Sequence, residues 1–266
     1  MVRAAWLTDI HLDFLSTSVQ ERFFERLAAE EADCILLGGD VAHAASVAPL
    51  LQRLEEALQK PIYFVLGNHD FYHGSIARVR ETMRTLCRQA RFLHWLSALG
   101  AVPVTAHTGL VGHDGWGDGR YGDYWRSTVE LNDFRLIEEL RGCDRRARFA
   151  RLNALGDEAA AHLGAVLPEA LDRFEHVVVL THVPPFAEAA WHEGHGSDAH
   201  FLPFFACQCA GETLRRALAA HPGKRMTVLC GHTHGSGYAR VTPGLEVFTG
   251  GAEYGAPMVQ RIFEWE

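Results

Sequence analysis

Five short polar blocks, each set behind a short apolar run, constrain what this chain can fold into more than any other feature. They read Asp9-Ile10-His11, Gly39-Asp40, Gly67-Asn68-His69-Asp70, Thr181-His182 and Gly231-His232-Thr233-His234. The runs that precede them (4–8, 34–37, 62–66, 177–180 and 226–230) have the length and apolar content of buried strands. Between the first three, 18–32 and 47–58 place apolar residues at helical spacing, with Leu50, Leu51, Leu54 and Leu58 on one face. The first three blocks recur at about thirty residues, the length of one strand–helix–strand unit. A β-α-β-α-β series of this kind predicts parallel strands buried on both faces, with ligands collecting beyond their carboxyl ends. That is where these blocks fall.

Carboxylate, amide and imidazole donors offered from several strand ends are what divalent cations need. An Asp-x-His or a Gly-Asp alone is an ordinary turn. Gly-Asn-His-Asp is poor structural material behind an apolar strand unless its side chains are used. Gly-His-Thr-His puts two imidazoles at i and i+2, on one side of an extended segment, which chelation explains better than packing does.

As an ordered set, these motifs resemble the signature of the calcineurin-like metallophosphoesterases, across residues 9–234. The resemblance implies a four-layer αββα sandwich of two mixed β-sheets flanked by helices, with the metal site at strand carboxyl ends. It implies that Asp9, His11, Asp40 and His234 hold one metal. Asp40, Asn68, His182 and His232 would hold the second, with Asp40 bridging. Two cations roughly 3.5–4 Å apart lower the pKa of a shared solvent molecule, and the resulting hydroxide attacks phosphorus in line. His69 is placed to protonate the leaving oxygen or to stabilise the transition state, with Asp70 holding its ring and raising its pKa. Mixed nitrogen and oxygen donors suit manganese, iron or zinc.

Two segments read as specificity loops on a single domain spanning 1–266. The first, 112–125, is rich in Gly, Asp and aromatics and offers His113 and Trp116; the second, 184–205, follows His182 and offers His195 and His200. His43, three residues after Asp40, is a further candidate substrate contact. Packing of the loops onto the sandwich is an equal reading of their aromatics. The stretch 131–174 reads as mainly helical, with an arginine cluster at 145–151 on a solvated face.

Composition narrows the substrate. The 266 residues carry a net charge of -8, the wrong sign for a protein whose main task is gripping a nucleic-acid backbone. No run approaches the roughly eighteen apolar residues of a membrane span, and no secretory leader opens the chain. Six scattered cysteines without zinc-finger spacing suggest a reduced compartment, the cytoplasm by default. Eukaryotic-type Ser/Thr protein phosphatases carry Gly-Asp-x-x-Asp-Arg-Gly and Gly-Asn-His-Glu; the stretches here are Gly39-Asp40-Val41-Ala42-His43 and Gly67-Asn68-His69-Asp70, which argues against that activity. The expectation is a hydrolase of a small phosphodiester or phosphomonoester. A nuclease using the same chemistry is the alternative, and a non-catalytic scaffold would show lost ligands, which this chain does not.

Overall fold

A computed structural model describes residues 1–266. The strands are β1 (Val2–Leu7), β2 (Cys34–Leu37), β3 (Ile62–Phe64), β4 (Leu93–Trp95), β5 (Val102–Pro103), β6 (Thr108–His113), β7 (His176–Thr181), β8 (Trp191–His192), β9 (His195–Gly196), β10 (Arg225–Cys230), β11 (Gly237–Thr242), β12 (Leu245–Thr249) and β13 (Arg261–Trp265). The helices are α1 (Thr17–Ala29), α2 (Val47–Leu58), α3 (Ile76–Gln89), α4 (Asp133–Leu136), α5 (Arg145–Arg173), α6 (Leu202–Phe205) and α7 (Gln208–Ala219). One sheet runs β13-β1-β2-β3-β4, parallel except for β13; the other runs β11-β12-β10-β7-β6-β5, parallel except at its two edges.

Side-chain alternation explains the layering. Ala4 and Trp6 of β1, Leu36 of β2, Val178 and Leu180 of β7 and Leu229 of β10 point into one core between the sheets. Their neighbours Ala5, Leu7, Ile35 and Leu37 face outward, onto Phe23 and Leu27 of α1 and Leu51 and Leu54 of α2. On the other sheet Val177, Val179 and Val228 pack against Leu163 and Leu167 of α5 and Leu214 of α7. The result is helix, sheet, sheet, helix: the mixed two-sheet sandwich expected. The central strands β1, β2, β7 and β10 are largely apolar because both their faces are buried, at about 1.5–3 kcal/mol for each large side chain removed from water.

Two local expectations are refined. The stretch 131–174 is mainly helical, in two pieces: α4 is a single turn that ends before the extended Ile137, a non-helical stretch with Gly142 at φ 73° follows, and α5 begins where the Asp144 side chain accepts from the Ala147 amide at 2.8 Å. Of the arginines at its start, Arg146 and Arg151 lie on the solvated face as expected, while Arg145 and Arg148 also make contacts. The Arg145 Nη2 donates to the Tyr124 carbonyl at 2.9 Å, and Arg148 lies 3.9 Å over the Phe134 ring while pairing with Glu130. No helix is long and apolar enough to cross a membrane.

Candidate metal centre

The carboxyl ends of β1, β2, β3, β7 and β10 bring all five blocks to one edge of the sandwich. Backbone bonds tie them together before any side chain is considered. Asp9 N donates to Gly39 O and His11 N to Asp40 O, each at 3.0 Å, and Gly231 N donates to His182 O at 2.8 Å. Of the eight non-glycine residues with left-handed φ, five are candidate ligands: Asp9 (52°), His11 (40°), Asp40 (52°), His232 (71°) and His234 (59°). Each such residue stores roughly 1–3 kcal/mol, which persists only where surrounding structure over-determines it. Glycine makes the close approach possible. A Cβ on Gly67 would meet Asp40 Oδ1 at 2.1 Å, and one on Gly231 would meet Asp9 Oδ2 at 2.0 Å.

Two donor groups result. Asp9, His11, Asp40 and His234 place one ligand atom each within 4.8 Å of one another. The Asp40 Oδ2 lies 3.9 Å from His11 Nε2, and Asp9 Oδ1 lies 3.6 Å from His234 Nε2. The second group shares Asp40, whose Oδ1 is 3.4 Å from His182 Nε2. Asn68 Oδ1 lies 3.1 Å from that same nitrogen and 2.9 Å from His232 Nδ1.

Hydrogen bonding outside this second group decides what its atoms present. His182 Nδ1 donates to the Gly38 carbonyl at 2.8 Å and His232 Nε2 donates to the Phe204 carbonyl at 3.0 Å, since a carbonyl has no proton to give. The other nitrogen of each neutral ring is therefore a lone pair. Asn68 donates through Nδ2 to Asp133 Oδ1 at 2.8 Å and to the Tyr72 hydroxyl at 3.1 Å, so its Oδ1 turns inward. Three lone pairs converge beside a carboxylate. Such a set fits a divalent cation.

Electrostatics point the same way. Burial lowers His11 to about 2, His69 to about 3 and His182 to about 4, and holds His232 well below the usual imidazole range. These are neutral imidazoles, the form that binds metal. Burial, then the neighbouring Asp9 and Asp70 carboxylates, push Asp40 well above the usual carboxylate range, the response of anions crowded together without positive charge.

Asp70 differs from expectation. It does not touch His69. Its carboxylate accepts four backbone N–H groups, from Asp40 (3.0 Å), Val41 (2.9 Å), Ala42 (2.9 Å) and Gly67 (2.8 Å). It therefore shapes the loop that carries Asp40, and it is fully buried. His69 has no partner on its buried Nδ1, and its pKa is lowered rather than raised. Tyr72 orients it instead, with the two rings stacked at 4.2 Å.

A cavity of about 300 Å³ opens over the centre, lined among others by His69, His192, Phe205 and Tyr254. His113 and Trp116 do not reach it: both are buried, the first against His162 at 5.2 Å and the second against Phe71 at 5.9 Å. Their ring contacts pack the 112–125 stretch onto the sandwich, outside the lining of that cavity. His195 and His200 are exposed and also away from the cavity; from the same loop it is His192 that lines it. His43 stands near the edge, its Nδ1 3.1 Å from Asp13 Oδ2 and its ring 6.2 Å from that of His69. Sequence reading missed Tyr72, Asp133 and Tyr254, which sit in no spacing motif.

A family model described as calcineurin-like phosphoesterase matches residues 2–236. Among solved structures, phosphopantetheinyl hydrolase from Mycobacterium tuberculosis is similar with a TM-score of 0.68 at 15% identity, over 93% of this chain and 89% of that one. A dimetal phosphatase from Danio rerio gives 0.57 at 15% identity, over 93% and 86%. At such identities the likeness is one of fold. No curated protein matches the sequence significantly.

Proposed function

The chain belongs to the calcineurin-like phosphoesterase family and is a metal-dependent phosphoesterase; from that premise we propose that it hydrolyses a small phosphodiester or phosphomonoester at a centre of two divalent cations. Asp9, His11, Asp40 and His234 would hold one, and Asp40, Asn68, His182 and His232 the other. The observation that carries this reading is the convergence of Asn68 Oδ1, His182 Nε2 and His232 Nδ1 lone pairs beside Asp40, whose second oxygen faces the other donor group. Bound there, the cations would supply an activated solvent nucleophile and Lewis-acid stabilisation of charge on the phosphoryl oxygens.

The chain's own residues do the rest. Backbone carbonyls of Gly38 and Phe204 hold two imidazoles in the ligating tautomer. His69, stacked on Tyr72 at the cavity wall, gives an N–H to the leaving oxygen or to the phosphoryl group in the transition state. Asp70 keeps the Asp40 loop in register through four amides. Mixed nitrogen and oxygen donors suit manganese, iron or zinc. Residues 1–266 are read as one domain, since β13 closes antiparallel on β1. Six free cysteines support a reduced, cytoplasmic setting.

The test is hydrolysis of bis(p-nitrophenyl) phosphate beside p-nitrophenyl phosphate, by metal-stripped protein and after manganese is restored. Manganese-dependent turnover is expected, and the faster substrate separates diesterase from monoesterase. The similar Mycobacterium protein is named for phosphopantetheinyl hydrolysis, so a diester of that type belongs in the panel. Failure on all of them in protein holding two metals per chain would overturn the small-substrate reading.

A further inference from the structure

Few large apolar side chains of this protein are exposed, and two of them touch each other beside the metal centre. Phe14 is 52% exposed and Tyr254 48% exposed, with ring centroids 4.7 Å apart and planes 38° apart. They come from opposite ends of the chain, Phe14 three residues beyond His11 and Tyr254 from the segment between β12 and β13. Tyr254 also packs its ring at 4.6 Å from His11 and 5.1 Å from His234, two residues of one donor group. It lines the same cavity as Asn68, His69 and His232. The two rings therefore make an aromatic shelf that runs outward from the candidate reaction centre.

A shelf so placed is not needed for folding. The core clusters contain neither ring, so burial does not explain why two large aromatics are kept half in water against each other. A planar group lying on them would recover that exposed area and gain face-to-face contact, which a flexible alkyl group cannot do as well. Stacking on aromatic side chains is worth about 1–3 kcal/mol per nucleobase, enough to select among esters.

We propose that the Phe14–Tyr254 shelf is the specificity subsite of this enzyme and receives a planar aromatic or heteroaromatic ester group of the substrate. The inference rests on the adjoining donor groups being the phosphoester centre. It narrows the substrate class to phosphoesters of aryl or nucleoside-like alcohols. The metals fix the phosphoryl group, and the shelf fixes the orientation of the group attached to it.

The experiment is calorimetric binding of phenylphosphonate and methylphosphonate to manganese-loaded protein. Both carry the same head group on a C–P bond that hydrolysis does not cleave, so binding is read without turnover. The wild-type chain is expected to favour phenylphosphonate by about tenfold. Phe14→Ala and Tyr254→Ala are expected to bring that preference close to unity, and Tyr254→Phe to keep it. Methylphosphonate binding in each variant is the internal reference for an intact centre. Equal wild-type affinities, a preference that survives both alanine variants, or equal loss of both ligands would overturn the subsite. If neither phosphonate binds the metal-loaded wild-type chain, the reading of the centre itself fails together with the inference.

Discussion

Asp133 accepts a 2.8 Å hydrogen bond from the side-chain amide of Asn68, 65 positions earlier in the chain. The same oxygen accepts the Tyr72 hydroxyl at 2.7 Å. One buried carboxylate thus sets which way the Asn68 amide points and holds the ring on which His69 stacks. Removing it should let Asn68 turn its oxygen away from His182 and His232. Asp133→Ala is expected to lower manganese affinity by about 10–100-fold. Asp133→Asn, which keeps an acceptor oxygen, should recover most of it. Titration calorimetry with manganese checks both; equal affinities across the three proteins would refute the role.

Asp70 and His69 are neighbours in sequence with separable jobs. Asp70→Ala strands four buried N–H groups, and loss of hydrogen bonds to a charged acceptor should cost about 2–4 kcal/mol of stability. His69→Ala breaks no structural bond and should leave the urea midpoint nearly unchanged. It should also retain metal while losing most turnover, least with leaving groups that need no proton. A urea melt beside a metal assay distinguishes the two, and a wild-type midpoint for Asp70→Ala would refute its structural assignment.

Asp40 lies where burial and the Asp9 and Asp70 carboxylates disfavour its charge. Asp40→Asn removes that repulsion, so the metal-free variant should be at least as stable as the wild-type chain. It should nonetheless lose bound metal and activity, the trade of function for stability common at active sites. Metal content by elemental analysis and the thermal midpoint of stripped protein read the two effects. Turnover at the wild-type rate would sink the shared-carboxylate reading.

A pH effect is expected far from the centre. His176 of β7 is half-buried, its Nε2 is 2.9 Å from the Thr227 hydroxyl, and desolvation lowers its pKa from 6.5 to about 4. Because the folded value lies below the unfolded one, the unfolded chain takes up the proton first as pH falls. The stability linked to this ring is full above about pH 6.5 and is lost toward pH 4, by an amount on the order of 1–3 kcal/mol. Urea melts of wild type and His176→Gln at pH 7.5 and 4.5 isolate it. The variant should lose less stability between the two, and parallel losses would refute the prediction.

The sequence by itself determined the central strands and the polar blocks behind them, because these signals are local, while the sandwich class was implied by the family resemblance those blocks carry. A short apolar run followed by Gly-Asn-His-Asp or Gly-His-Thr-His carries its strand and its ligands within ten residues. Only the tertiary structure decided what each polar residue does. Asp70 adjoins His69 in the chain, yet its oxygens face the amides of Asp40–Ala42, which the β2–β3 register brings within reach. Trp116 and His113 look like loop residues by composition, yet His113 ends strand β6 and the chain beyond it folds down to bury Trp116. Asp133 and Tyr254 carry no spacing pattern because their partners lie in distant segments. Hydrogen bonds and ring contacts across such separations depend on how layers pack, and packing is the property that one-dimensional periodicity does not encode.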